Sequence, residues 1–448
     1  MSVALKVEDG RIRIPTVHRG PRTVRVALAG CGTVGGELVR ILHHAADEIR
    51  QRHGLRFQLV RVLVAHGDRP RPGELDTALL TTDVDAYLAA AAQADVVVEA
   101  IGGIDPALRI ARAALRGGKR LVTANKALVA AHGPELVALG RKHGGRLDFE
   151  SAAAGGIPIV RALREPLSLT GITSVRGILN GTTNYILSRL EDGWSFPDAL
   201  ADAQARGFAE ADPSRDLSGE DAADKLRILA WLAFGVEPVR LEVRRRGLGD
   251  DADRLARTAR ALDGAVRIVA EAARTAEGVT ASVEPVLVAA GSDLARTRDE
   301  ANLVVVDSRW NGRIALGGPG AGGGPTASAL LGDMVRAARR QRPPNASSAA
   351  AAIPDRRPHA WASGVVRGRG AQEALGHTLA RVGIDNARMA WTKDVVVART
   401  EPVPWARVGL AVRALESQGL APAVLRVEQA AVHLDSRAEG PGGAARGI

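Results

Sequence analysis

An acidic stretch that contains a single lysine, residues 207–229, holds the densest group of side chains able to move protons. Its sequence, GFAEADPSRDLSGEDAADKLRIL, places Asp221 and Lys225 four positions apart, on one face of a helix predicted over residues 220–234. Only six of the 60 lysines and arginines in the chain are lysines. Because a lysine can give up its proton and an arginine cannot, a lysine kept here is typical of a catalytic acid or base. The alternative is a solvated ion pair, worth a few tenths of a kcal/mol.

The stretch GCGTVGG could bind a dinucleotide, because it follows a predicted strand, residues 24–29, and precedes a predicted helix, residues 37–49. Its glycines fit G-x-G-x-x-G, in which they allow a tight turn, close approach of a pyrophosphate and close packing of helix on strand. The helix N-terminus then faces the phosphates. This context favours a dinucleotide site over an ordinary strand-to-helix turn. The predicted cofactor contacts in this stretch are Gly30, Cys31, Gly32, Thr33, Val34 and Gly35.

The end of the second predicted strand, residues 57–65, should contact the adenosine ribose and so indicate which cofactor binds. An acidic residue there would bind a free 2′-hydroxyl, whereas a basic residue suits a 2′-phosphate. The sequence has Ala65 and His66 at this position, with Asp68, Arg69 and Arg71 beyond them. We therefore favour NADP and keep NAD as the alternative.

The chain is predicted to be an α/β protein with several domains. Strand and helix patterns alternate over residues 23–158, which predicts a Rossmann-type, doubly wound parallel sheet. Residues 159–340 indicate a mixed α+β catalytic and oligomerisation domain, whose late part, 316–340, returns to the cofactor. Residues 359–432 follow the β-α-β-β-α-β order of a small C-terminal ferredoxin-like module. The remaining segments are an irregular arm at 1–22, a linker at 341–358 that would let the chain up to residue 340 fold alone, and a disordered tail at 433–448.

Composition narrows the classes of partner. The formal net charge of +10 comes from scattered arginines, and aromatic residues make up only 3% of the chain, which argues against a nucleic-acid partner. The single cysteine, Cys31, excludes an intramolecular disulfide framework and fits a reducing compartment. We find neither a secretory segment nor an apolar run long enough to cross a membrane. We therefore expect a cytoplasmic protein.

Three further segments place polar residues at predicted strand ends, where open α/β sheets bind their ligands. They are VTANKALVA (122–130), FESAAAGGIPIV (149–160) and GILNGTTNYIL (177–187). Asn125 and Lys126 could reach a cofactor or a substrate carboxylate, or could equally be a helix cap and a solvated lysine. Glu150 and the loop after it suit a hard cation such as sodium or calcium, or could form a buried glutamate satisfied by the backbone.

These motifs give the chain a resemblance to the homoserine dehydrogenases. GCGTVGG, VTANKALVA, FESAAAGGIPI, ILNGTTNYIL, GFAEADPSRDLSGEDAADKL and GPGAGGGPTAS occur between residues 24 and 340 in the family's order, with similar separations. The resemblance implies reversible NAD(P)-dependent oxidation of L-homoserine to L-aspartate 4-semialdehyde. This reaction lies on the route to threonine, methionine and isoleucine.

The resemblance also implies a role for each matching position. Lys225 is then the catalytic acid and base, and Glu210 and Asp221 hold the amino end of the substrate. The other implied contacts are Gly181, Thr182 and Lys126 with the substrate, Lys126, Gly320 and Gly322 with the cofactor, and Glu150, Ala153, Gly155 and Ile157 with a monovalent cation such as Na⁺.

Many members of the family end in a small ACT domain of the β-α-β-β-α-β order, which implies an amino-acid effector such as threonine. A docking or dimerisation module is the alternative. The resemblance further implies a homodimer or homotetramer. Two other functions stay open, an amino-acid dehydrogenase that performs reductive amination and a dinucleotide-sensing regulator without turnover. The late GPGAGGG loop and the NGTTN segment favour a homoserine dehydrogenase over both.

Overall fold

The computed structural model describes residues 6–8, 11–13, 20–339, 361–366, 371–385, 387–391, 395–418, 420 and 422–427. The linker predicted over residues 341–358 and the tail predicted over residues 433–448 lie outside this part of the chain. Within it, no helix combines the length and the apolar character needed to cross a bilayer.

The first part of the chain alternates strands and helices. Its elements are β1 (Lys6–Glu8), β2 (Arg11–Arg13), β3 (Arg22–Ala29), α1 (Thr33–His44), α2 (Ala46–His53), β4 (Leu55–Leu63), β5 (Leu80–Thr81), α3 (Val84–Ala91), β6 (Val96–Glu99), α4 (Ala107–Arg116), β7 (Arg120–Thr123), α5 (Lys126–His143) and β8 (Arg146–Asp148). Six strands form a parallel sheet in the order β5-β4-β3-β6-β7-β8, which confirms the predicted doubly wound sheet. The N-terminal arm, predicted to be irregular, instead contains the antiparallel pair β1 and β2.

The order of the strands reverses between β3 and β6, and this reversal locates the ligand crevice. The two strands are neighbours, with Ala29 of β3 paired to Glu99 of β6. Helices leave these strands toward opposite faces of a doubly wound sheet, so a crevice opens beyond their carboxyl ends. The glycine stretch predicted to bind the cofactor follows β3 at this point.

The second part of the chain forms a mixed sheet covered by helices, as predicted. Its elements are α6 (Ser151–Ala154), α7 (Ile159–Arg164), β9 (Ile172–Ile178), α8 (Gly181–Glu191), α9 (Phe196–Ala205), α10 (Ser214–Leu217), α11 (Glu220–Phe234), β10 (Arg244–Arg245), α12 (Ala252–Ala261), β11 (Gly264–Arg274), β12 (Val279–Ala289), α13 (Asp293–Arg296), β13 (Ala301–Ser308), β14 (Gly312–Pro319) and α14 (Gly323–Ala338). Five of its strands follow one another in the sheet in the order β14-β13-β9-β11-β12.

Helix α11 has the bounds predicted from the sequence and lies between the two parts of the chain. It contacts α5 on one side and β9 and β11 on another. The helix is largely buried, since most of its residues, including Asp221 and Lys225, lie in the interior. Buried charges need partners within the protein, so the packing of α11 determines where these two side chains can act.

The C-terminal module has the predicted ferredoxin-like order. Its elements are β15 (Trp361–Val366), α15 (Ala371–Arg381), β16 (Arg388–Trp391), β17 (Val395–Arg399), α16 (Trp405–Glu416) and β18 (Ala423–Val427). The strands lie in the order β18-β15-β17-β16, and β18 is also hydrogen-bonded to β12. The module therefore continues the second sheet.

Buried ion pairs hold this junction together. Arg426 of β18 is buried, and its guanidinium lies 2.6 Å from Glu271 and 3.1 Å from Glu284. Arg244 donates two hydrogen bonds to Glu284, at 2.8 and 2.9 Å. We refer to Arg244, Glu271, Glu284 and Arg426 as the junction network. A chain ending at residue 340 would lack Arg426 and its two ion pairs, and its ability to fold alone, predicted from the linker, stays a prediction.

Candidate active site

The glycine stretch makes the sharp turn between β3 and α1 that a dinucleotide site needs. Gly30 has a φ of +96°, and a Cβ added to it would lie 2.4 Å from the carbonyl oxygen of Ala100. A Cβ on Gly35 would lie 2.0 Å from the carbonyl oxygen of Gly30. Neither position can hold a larger residue without moving backbone. Helix α1 begins at Thr33, so its unpaired N–H groups face the crevice.

The late glycine loop returns to the same place. Gly322 has a φ of +108° and precedes α14. A Cβ on Gly323, the first residue of α14, would lie 3.2 Å from the carbonyl oxygen of Thr33. The N-termini of α1 and α14 therefore converge. Their combined N–H groups and helix dipoles suit a pyrophosphate, so the structure brings Gly320 and Gly322 to the predicted cofactor site.

Arg71 lies where the cofactor's ribose is predicted to bind, but it already has partners. Its guanidinium donates to the carbonyl of Cys31 at 2.5 Å and to the carbonyl of His66 at 2.6 Å. Arg71 thus ties the glycine stretch to the loop after β4. Arg69, which is exposed, is the other arginine predicted at this site.

The predicted acid and base sits in a bridge of two lysines and one carboxylate. Lys225 Nζ donates to Asp221 Oδ2 at 2.7 Å and to the carbonyl of Leu179 at 2.8 Å. The other oxygen of Asp221 forms an ion pair with Lys126, the first residue of α5. The side chain of Lys225 is 10% exposed and that of Lys126 is 39% exposed. Tertiary packing therefore joins two segments that the sequence indicated separately.

Asp221 is held in its charged form by these lysines. Burial alone would raise the pKa of the Asp221 carboxyl, but the ammonium groups of Lys225 and Lys126 outweigh it and hold that pKa well below its usual range. Asn180 Nδ2 also donates to Asp221 Oδ2, at 3.0 Å. The carboxylate is therefore ionised throughout the neutral range, and it orients both lysines.

A second carboxylate, Asp216, belongs to the site although the sequence did not single it out. It accepts hydrogen bonds from Asn180 Nδ2 at 2.7 Å and from the Thr182 hydroxyl at 2.9 Å. Gly181 starts α8 between these two partners, and a Cβ on it would lie 2.8 Å from the Glu300 carbonyl oxygen. The density of acids in residues 207–229 was the only sequence signal for Asp216. Choosing it among them requires the position of Asn180.

Glu210 lies on the same acidic loop, with its side chain exposed to solvent. It takes part in no ion pair within the described ranges. The structure therefore leaves its carboxylate open to a ligand but does not join it to the lysine bridge. Its predicted role at the amino end of the substrate stays a prediction.

Hydrogen bonds within the protein hold the predicted cation loop in place. The Glu150 carboxylate accepts the backbone N–H groups of Val160 and Arg161, at 2.7 and 2.9 Å, and so caps α7. Burial raises the pKa of Glu150 to about 6. Gly155 has a φ of +57°, and a Cβ on it would lie 2.5 Å from the Gly320 carbonyl group. The loop therefore abuts the late glycine loop.

The cation ligands that the resemblance implies are one carboxylate and three backbone carbonyls, and a cation at this loop stays a prediction. Among the described residues, no cluster of three or more His, Cys, Asp or Glu side chains could hold a metal ion. The donor set of Glu150 with the backbone of Ala153, Gly155 and Ile157 suits a hard monovalent ion, because such ions accept carbonyl ligands and a carboxylate oxygen has a second lone pair.

Comparison with known proteins places this geometry in one family. Residues 30–150 match the family described as "Homoserine dehydrogenase, NAD binding domain", and residues 158–335 match "Homoserine dehydrogenase". The homoserine dehydrogenase of Pseudomonas aeruginosa is 39% identical over 320 residues, which cover 71% of this chain and 73% of that protein. The homoserine dehydrogenase of Bacillus subtilis is 36% identical, over 72% of this chain and 74% of that protein.

Solved structures agree with the sequence relatives. A homoserine dehydrogenase from Thiobacillus denitrificans superposes with a TM-score of 0.81 at 33% identity, over 91% of this chain and 98% of that one. A hyperthermophilic archaeal homoserine dehydrogenase in complex with NADPH superposes with a TM-score of 0.61 at 26% identity, over 73% and 100% of the two chains. The matched family models and the similarity to these relatives show that the chain belongs to the homoserine dehydrogenase family of oxidoreductases.

Proposed function

We propose that the protein interconverts L-homoserine and L-aspartate 4-semialdehyde, with Lys225 as the acid and base. The observation that carries this proposal is the Lys126–Asp221–Lys225 bridge beside the cofactor crevice. One buried carboxylate there holds two ammonium groups, one of them almost fully desolvated. The reaction would lie on the route to threonine, methionine and isoleucine.

The chemistry requires a proton to move together with a hydride. A bound nicotinamide supplies the hydride acceptor or donor. Reduction of the aldehyde creates an alkoxide that needs a proton, and oxidation of the alcohol releases one. An ammonium group has three N–H bonds, and Lys225 directs two of them at Asp221 and the Leu179 carbonyl. The third is left to donate to the substrate oxygen.

The acidic loop would hold the amino end of the substrate. The family resemblance implies this task for Glu210 and Asp221, but both oxygens of Asp221 already face lysine ammonium groups. We therefore assign Asp221 to the orientation of Lys126 and Lys225. Glu210 and Asp216 then receive the α-ammonium group, because carboxylates form charge-assisted hydrogen bonds with it.

For the cofactor we propose NADP over NAD. Ala65 and His66 leave the ribose position without an acid, while Arg69 is exposed beside it and Arg71 fixes the adjacent loop. Basic side chains there favour a 2′-phosphate. Measured values of kcat/KM should be at least as high with NADP as with NAD, and a tenfold preference for NAD would exclude this assignment.

We also propose Na⁺ as the cation of the Glu150 loop, threonine as the effector bound by the C-terminal module, a homodimer or homotetramer, and a cytoplasmic location. Support for the cation comes from the carbonyl-rich loop, and support for the effector comes from the ferredoxin-like order of the module. The single cysteine supports a reducing compartment.

A spectrophotometric assay tests the function directly. Homoserine with NADP should give reduced cofactor, whereas ammonia with keto acids and NADPH should give no turnover. Turnover with ammonia would instead support an amino-acid dehydrogenase, and cofactor binding without any turnover would support a dinucleotide sensor. Glu210→Gln should raise KM for homoserine and leave kcat nearly unchanged.

A further inference from the structure

Glu99 is a buried carboxylate that the mechanism above does not use. It is the last residue of β6 and is completely inaccessible to solvent. One oxygen accepts the hydroxyl of Thr123 at 2.5 Å, and the other accepts the N–H of Ile101 at 2.8 Å and that of Gly102 at 3.3 Å. Asn125 Nδ2 lies 3.4 Å from the second oxygen. All four partners are neutral donors, so they solvate a negative charge without cancelling it.

Burial raises the pKa of Glu99 above its ordinary value, while the donors from Thr123, Ile101, Gly102 and Asn125 oppose that rise. Three of the partners are N–H groups, which can only donate, and the Thr123 oxygen already accepts the N–H of Asn125 at 3.0 Å, so among the described residues its own hydrogen finds an acceptor in Glu99. The arrangement of four donors around one carboxylate is therefore that expected for the charged form.

The donors belong to three segments that meet at the cofactor crevice. Ile101 and Gly102 open the loop after β6, Thr123 ends β7, and Asn125 caps α5 by accepting the N–H of Leu128 at 3.1 Å. Asn125 also donates to the carbonyl of Gly103, at 2.6 Å, and so ties the loop to the helix. Lys126, which pairs with Asp221, is the next residue along. Glu99 thus fixes the point from which Lys126 reaches the lysine bridge.

The same residue borders the place where the cofactor is expected. Glu99 is paired with Ala29, directly before the glycine turn, and the carbonyl of Ala100 presses against Gly30. The loop that Glu99 holds carries Ile101 and Ile104, whose side chains are each 37% exposed. Two large apolar side chains therefore face solvent at the crevice. A flat ring lying in the crevice would cover them.

We propose that Glu99 is a positioning residue for hydride transfer, which holds the loop after β6 and the start of α5 and whose negative charge favours the oxidised cofactor. The oxidised nicotinamide ring carries a positive charge and the reduced ring carries none. A fixed, buried anion near the ring therefore stabilises the oxidised form selectively. The inference rests on the proposed function, because it takes the crevice to be the nicotinamide site.

Equilibrium binding to Glu99→Gln tests the charge without any turnover. Glutamine keeps the shape, and its carbonyl oxygen can accept from the loop, while its N–H₂ group faces the Thr123 hydroxyl, which must turn from donor to acceptor. The affinities for NADP⁺ and NADPH should be measured by fluorescence titration in alkaline buffer without homoserine. We expect binding of NADP⁺ to weaken by about fivefold, the order of effect of one incompletely screened charge, with binding of NADPH nearly unchanged. Glu135→Gln, the same change in an exposed ion pair with Arg112, should alter neither affinity.

Equal weakening of both cofactor forms would overturn the electrostatic part, since a merely structural glutamate would affect both alike. Glu99→Asp, which keeps the charge but shortens the reach to the loop, should retain the binding ratio and lower kcat by about tenfold or more with little change in KM. An unchanged kcat in Glu99→Asp would overturn the positioning role. If the wild-type protein binds both cofactors but does not oxidise homoserine, the proposed function fails while the binding ratio still tests Glu99.

Discussion

Two buried charge networks in this protein are built from different cations. The active-site bridge joins Asp221 to two lysines, whereas the junction network joins Glu271 and Glu284 to two arginines. Each arginine can offer a planar set of donors with a fixed charge, and Arg244 uses it to contact both oxygens of Glu284. Each lysine offers one compact charge whose proton can be transferred. We therefore expect the lysine bridge to serve proton transfer and the arginine network to serve the attachment of the C-terminal module.

The scarcity of lysine sharpens this contrast. Only six lysines occur among the 60 basic residues, yet Lys126 and Lys225 meet on one carboxylate. Changing the cation should therefore have opposite consequences at the two sites. At the bridge it should affect rate more than stability, and at the junction it should affect stability more than rate.

The largest effect is expected for Lys225→Arg. This change keeps the positive charge but removes a side chain that can transfer a proton, so kcat should fall by roughly 10²- to 10⁴-fold with little change in cofactor affinity. Steady-state kinetics and fluorescence titration measure the two quantities. Lys142→Arg, on an exposed position at the end of α5, provides the matched control and should behave as wild type. A nearly normal kcat in Lys225→Arg would remove Lys225 from the mechanism.

At the junction, Arg426→Met should destabilise the fold by about 3–5 kcal/mol, because it removes the buried cation that lies between Glu271 and Glu284. Urea unfolding measures this, and kcat of the folded fraction should be largely retained. Arg112→Met, which breaks an exposed pair with Glu135, is the control and should change stability by at most about 1 kcal/mol. A small effect at Arg426 would support the prediction from the linker that a chain ending at residue 340 is stable and active.

The orienting carboxylate should give an intermediate effect. Asp221→Asn removes the charge that faces both lysines, so kcat should fall by about 10- to 100-fold as the acid loses its orientation. Asp216→Asn should instead raise KM for homoserine, because Asp216 contacts Asn180 and Thr182 but no lysine. Kinetics in which Asp221→Asn changed KM alone would return Asp221 to the substrate amino end, as the family resemblance implies.

The smallest effect is a pH dependence at Glu150. Its pKa of about 6 in the folded protein lies above the ordinary 4.5, so folding binds a proton between these values and the free energy of unfolding falls as pH rises through them. A glutamine side chain does not ionise in this range, so the stability of the variant lacks this pH dependence. The stability of Glu150→Gln relative to wild type should therefore increase by about 2 kcal/mol from acidic to neutral pH.

Chemical denaturation at several pH values, in choline chloride to keep the sodium concentration low, measures this relative stability. Glu135→Gln should show a trend of opposite sign, because hydrogen bonds from Arg112 lower the pKa of Glu135. A flat relative stability for Glu150→Gln would mean that Glu150 is no harder to ionise in the folded protein than in the unfolded chain.

Sequence by itself determined the features that depend on neighbouring residues. Helix α11 has the predicted bounds, because its helix-forming residues and the glycines at both ends act locally. The glycine turn at residues 30–35 follows from steric limits on the backbone. The i, i+4 spacing likewise gave the contact between Asp221 and Lys225.

Only the tertiary structure decided which distant groups share a site. Lys126 and Asp221 meet because α5 packs against α11, and Asp216 joins the site through Asn180 at the start of another helix. Likewise, the pairing of β18 with β12 buries Arg426 beside Glu284 and attaches a module that the linker composition had separated. Local periodicity fixes the direction of a side chain relative to its own element. Its burial and its partners depend on how the elements pack, which no local pattern specifies.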